Sequence, residues 1–127
     1  MKATSLTQKS IASIGEEIDH DLGKQMVADY QIAHANEVLF YTIGRNIVDQ
    51  ILAQPACEGI RLYNAYNEFG EKTLVYLGVD NKGKAILSYT SINSKGFLEK
   101  NKGIVADRID KGRDNSADSD NWNWQVD

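Results

Sequence analysis

Residues 54–89 read QPACEGIRLYNAYNEFGEKTLVYLGVDNKGKAILSY, and this stretch decides the fold. From Gly59 onward, apolar residues recur at every second position, the period of a strand with one buried face. The pattern predicts strands over about 59–66, 73–79 and 84–90. Between them lie Asn67-Glu68-Phe69-Gly70-Glu71 and Asp80-Asn81-Lys82-Gly83. Asn, Asp and Gly accept positive φ at low cost, so both segments are expected to turn the chain. Loops this short force antiparallel pairing, hence a three-stranded meander.

The faces follow from the register. Pairing Val79 with Lys84, and Ile60 with Val79, gathers Ile60, Leu62, Val75, Leu77, Val79 and Ile86 on one aliphatic face. That face is expected to receive helices. The other face then collects Arg61, Tyr63, Tyr76, Leu87 and Tyr89. A slip of one residue would mix the two sets, and apolar patterning selects the unmixed register.

Upstream, the period is helical. Ile14, Ile18, Leu22, Met26 and Tyr30 form one stripe that ends near His34. Ser13 and Glu16 have the spacing of a capping box, and acids at 16, 17, 19 and 21 suit a helix N-terminus. A second helix is expected over Ile43–Leu52, with Thr42 as N-cap and Pro55 as its stop. Residues 38–41 are apolar and ambiguous. Residues 1–12 are expected to be flexible, residues 13–107 to form one domain, and residues 108–127 to be a disordered polar tail. The expected fold is α+β: two N-terminal helices packed on a three-stranded antiparallel β-meander.

Composition narrows the function. The 127 residues carry a formal charge of −4, which argues against broad phosphate-backbone binding. Lys95, Lys100, Lys102, Arg108, Lys111 and Arg113 are interleaved with acids that largely cancel them. Cys57 is the only cysteine, so neither an internal disulfide nor a multi-thiolate metal site can form. No apolar run reaches the ~20 residues of a membrane span, and no signal peptide is visible, so a cytoplasmic protein is expected.

Few residues suggest chemistry. Cys57 with His20 or His34 would make a thiol–imidazole pair, but Cys57 follows a helix end, where no dipole lowers its pKa. His20 sits between Asp19 and Asp21; neighbouring helical residues diverge, which suits a surface cluster better than a metal site. Asp80-Asn81-Lys82-Gly83 lacks the glutamate of a calcium loop, since its twelfth position is Ser91. No cofactor or metal is expected. Trp122 and Trp124 in the tail could serve as a docking peptide.

The block Gln54-Pro55-Ala56-Cys57-Glu58-Gly59-Ile60-Arg61-Leu62-Tyr63, with Thr73 to Asp80 behind it, resembles a group of small Bacteroidota proteins. These share a Q-P-x-C-x-G-I-R-x-Y signature. The likeness spans about residues 14–107. Many members end in a cysteine- and proline-rich tail, which this chain lacks. The group has no established activity, so the resemblance implies one domain and a bacterial origin and transfers no catalytic role.

The favoured expectation is a non-enzymatic protein-interaction or ligand-binding module, in which Arg61, Tyr63, Tyr76 and Tyr89 meet an unknown protein, a small ligand or a second copy. Neither nucleic acid nor membrane is an expected partner. The alternative is a small enzyme that takes an anionic substrate through Cys57 or the Arg61 neighbourhood.

Overall fold

The computed structural model describes residues 10–107 and 110–112. They fall into two compact units. One holds residues 10–14 and 43–107, the other residues 15–42 and 110–112.

In the larger unit, helix α2 (Arg45–Leu52) precedes strands β2 (Gly59–Tyr66), β3 (Lys72–Val79), β4 (Ser88–Ile92), β5 (Leu98–Lys102) and β6 (Val105–Ala106). The order in the main sheet is β2-β3-β6, all antiparallel, and β4 pairs with β5 as a separate hairpin. The fold class is therefore α+β. The third strand of the meander is divided. Ala85 bridges Val79 and the Ile86 amide donates to the Gly78 carbonyl, while Leu77 and Tyr76 pair with Val105 and Ala106. One edge of β3 is thus filled by two short pieces. The chain between them leaves the sheet as the β4–β5 hairpin. The Gly103 amide closes the neck of this excursion on the Leu87 carbonyl, at 2.9 Å.

The register differs by one residue from the expected one. Gly59 pairs with Val79, and Ile60 with Gly78. Partners in an antiparallel ladder share a face. Arg61, Tyr63, Val75, Leu77 and Val79 therefore lie on one side, and Ile60, Leu62, Tyr76 and Gly78 on the other. The expected aliphatic and tyrosine-rich faces do not exist as such. The cause is the loop type. Asn67 N–H donates to Glu71 O and Asp80 N–H to Lys84 O, so each loop closes over five residues, with Gly70 at φ +78° and Gly83 at φ +80° in the left-handed region. The register assumed in the sequence is one residue out at both turns.

β3 is the centre of the core. Tyr76, Leu77, Gly78 and Val79 are all buried. Ile51 of α2 is fully buried against it, with Cγ2 3.1 Å from where a Cβ on Gly78 would sit. On the opposite side Ile11, in a 3₁₀ turn at Ile11–Ser13, presses on Gly59: a Cβ there would be 2.9 Å from Ile11 Cγ2. Ile11, expected to be loose, is half-buried against the sheet, while Ala12 and Ser13 are exposed; residues 1–9 lie outside the described ones.

The smaller unit contains α1 (His20–Ala33) and an antiparallel pair, β1 (Phe40–Thr42) with β7 (Asp110–Gly112). The capping box at Ser13 is not used. Gly15 at φ +116° interrupts any helix from that point, and the Asp19 carboxylate caps α1 by accepting from the Asp21 and Leu22 amides. Ile18, Leu22, Met26 and Tyr30 on its stripe are exposed. Thr42 lies in β1, and Gly44 is the N-cap of α2 instead. Among the described residues of the sheet's own unit, α2 is the one α-helix, so the two helices are not both shown packed on the meander. Backbone 110–112 of the expected tail is strand; the remainder of the tail, including Trp122 and Trp124, lies outside the described residues.

Candidate functional site

The Gln54–Gly59 block works as a structural clasp. Gln54 is 6% exposed. Its Nε2 donates to the Ile51 carbonyl at 3.1 Å and its Oε1 accepts from the Ile104 amide at 2.8 Å. One side chain thereby closes the end of α2 and holds the far arm of the excursion. Pro55 prevents the helix from continuing, and Ala56 at φ +66° turns the chain towards β2. Cys57 follows, half-buried, with Sγ donating to the Gly59 carbonyl at 3.4 Å. A Cβ on Gly78 would lie 2.7 Å from that sulfur and 3.0 Å from Gln54 Nε2. The glycine makes room for the clasp. Gln54, Gly78 and Gly103 are the residues that sequence reasoning missed. The signal for Gln54 was its place between an apolar helix end and a proline, where a buried amide can serve the last carbonyls.

The loops are equally specified. The Asp80 carboxylate accepts from the Lys82 and Lys84 amides, both at 2.9 Å. These two bonds, then the charges of Lys84 and Lys82, hold its pKa below the ordinary aspartate value. Asn67 makes the same pair of bonds to Phe69 and Glu71, and Asn93 to Lys95 and Phe97. All three loops read Asn/Asp-x-x-Gly-x. The third, Asn93-Ser94-Lys95-Gly96-Phe97, joins β4 to β5, a hairpin whose signal in the sequence was overlooked.

The four tyrosine and arginine positions do not converge. Arg61 Nη1 donates to the Gly83 carbonyl at 2.8 Å, so the guanidinium fastens the second loop. Tyr63 lies on the same face and is 44% exposed. Tyr76 is on the opposite face and 1% exposed; burial, then the charge of Asp107, raises its pKa. Tyr89 is opposite Asn101 in the β4–β5 hairpin. Arg61 lines an open cleft of about 420 Å³ with Ile11, Glu58, Leu62 and Val79.

Among the described residues no three of His, Cys, Asp and Glu gather as metal ligands. His20 opens α1, away from Cys57 in sequence and in the other unit. His34 Nδ1 lies 3.0 Å from Glu37 Oε2, and its ring stacks on Tyr30 at 4.1 Å. Tyr30 donates to Glu37 Oε1, which raises the phenol's pKa. No helix of the described residues is long and apolar enough to cross a membrane.

Comparison with family models, curated proteins and solved structures found no match.

One surface stands out on geometry. Among the described residues, β2 is the outer strand of its sheet, with β3 on one side only. Leu62, Tyr63 and Asn64 are exposed in succession, so both faces of the strand reach solvent there.

Proposed function

We propose that the chain is a non-enzymatic interaction module that takes an extended polypeptide along the open edge of β2. Arg61 and Tyr63 lie on one face of that strand and Leu62 on the other. The observation that carries the proposal is the eight-residue β2 itself, an edge strand with exposed apolar side chains on both faces. Such an edge offers backbone donors and acceptors for affinity, and alternate side chains for specificity. The nearest nucleophile, Cys57, is wedged beneath Gly78 and bonded to Gly59, which favours a binding role over a thiol reaction. A lone half-buried thiol suits a reducing compartment, and the cytoplasm is the proposed setting.

The test is selection of linear peptides from a random library displayed against the full chain. Peptides of alternating apolar pattern are expected, and they should slow amide hydrogen exchange at Leu62 and Asn64 and lose binding to the Tyr63→Ala variant. Binders indifferent to Tyr63→Ala, with no effect on β2 amides, would overturn the proposal.

A further inference from the structure

We infer that the polypeptide on this edge is a second copy of the same chain, paired β2 to β2. The inference rests on β2 being the interaction surface and adds the identity of its partner.

Asn67 N–H bonds Glu71 O at the loop, and antiparallel ladders alternate between bonded and non-bonded pairs. Arg61, Tyr63 and Ala65 therefore direct their backbone polar groups at β3. Ile60, Leu62, Asn64 and Tyr66 direct theirs outward. β2 contains no lysine and no proline, and its pairing with β3 runs unbroken from Gly59 to Tyr66; residues 11–14 share a cleft with its first half, Gly59–Leu62, and not with Tyr63–Tyr66. The other edge of the sheet is protected, because it is split between Ala85–Ile86 and the two-residue β6.

A twofold axis makes an antiparallel strand complementary to itself. With Tyr63 opposite Tyr63 of the second copy, Ile60 meets Tyr66 and Leu62 meets Asn64. All four outward residues of each chain are then bonded. The central tyrosines form a non-bonded pair, in which side chains come closest, and the ends are aromatic-to-β-branched pairs, a favourable class. Arg61, the one charged residue of β2, meets Ala65 and not its own copy. A shift of two residues would leave either Tyr66 or Ile60 without a partner strand, depending on its direction. Tyr66 is 79% exposed and Leu62 50% in the single chain.

The full-length chain should sediment at twice its 14.2 kDa mass. The amides of Ile60, Leu62, Asn64 and Tyr66 should gain protection from exchange as concentration rises. Leu62→Pro removes an outward N–H and no bond to β3, so it should be a folded monomer; Asn64→Lys gives the same readout without a proline should that variant fail to fold. A wild-type monomer at every concentration, a dimer with unprotected outward amides, or an Asn64→Lys dimer would each overturn self-pairing. A library peptide that protects Leu62 and Asn64 on a monomeric chain would retain the interaction module and reject the second copy.

Discussion

Gln54 Oε1 accepts a hydrogen bond from the Ile104 amide at 2.8 Å, across fifty positions of sequence. The bond joins the end of α2 to the returning arm of the excursion. Gln54→Ala would strand the Ile104 amide and remove a partner from the Ile51 carbonyl. Loss of a buried partner costs about 1–3 kcal/mol. A lower urea midpoint at unchanged slope, with faster exchange of the Ile104 amide, is the expected result. Gln54→Leu should be no better, because shape without an acceptor leaves the same amide unpaired.

Gly103 sits where the two arms of the excursion meet. A Cβ there would collide with the Ile86 carbonyl oxygen and lie 2.8 Å from its carbon. Both are backbone atoms, so no rotamer change can give way. Gly103→Ala should cost about 3 kcal/mol, the upper part of the overpacking range. Gly44, with nothing within 4 Å of a Cβ and no positive φ, is the control. Gly44→Ala should cost no more than about 1 kcal/mol, the loss expected when alanine replaces glycine at an N-cap. Thermal unfolding of both variants checks the contrast.

Asp80 predicts a pH dependence. Its pKa is lowered in the folded chain by the Lys84 and Lys82 amides, relative to an ordinary value of 3.8. A carboxylate with a lowered folded pKa adds stability that is complete above its unfolded pKa. That stability is lost as pH falls through the folded value. Asp80→Asn keeps the acceptor for both amides and removes the titration. The wild-type melting temperature should therefore fall more steeply than that of Asp80→Asn on acidification below about pH 5. Parallel curves would refute the role given to this carboxylate.

Arg61 and Tyr63 should separate fold from binding. Arg61→Ala removes the bond to the Gly83 carbonyl and should cost about 1 kcal/mol. It should also speed amide exchange in residues 80–84. Tyr63 is half exposed, so Tyr63→Ala should leave the unfolding midpoint nearly unchanged and act on association alone. Equal destabilisation by the two would show that Tyr63 is part of the core contacts.

Much of this was legible locally. The strands at 59–66 and 72–79 are where the alternation places them, α2 ends ahead of Pro55, and Asp80 and Asn67 serve their turns. The third loop carries the same Asn-x-x-Gly-x signal and could have been read in the same way. The faces were not legible, because they depend on whether a loop closes over four residues or five. That choice is made by the left-handed Gly70 and Gly83 together with the side-chain bonds of Asn67 and Asp80. Arg61 and Tyr76 were set on one face by a slip of a single residue.

By itself the sequence determined the types of α2, β2 and β3, the turns at Asn67 and Asp80, and the charge balance, since these rest on dihedral preference and on periodicity within a few residues. Tertiary structure alone decided that β3 is buried on both sides, that two separate pieces fill one of its edges, and that no other strand of the described residues pairs with the outer edge of β2. Pairing between distant segments depends on which strand best fits a row of backbone donors and acceptors and buries its apolar side, and short-range patterning carries no record of that competition.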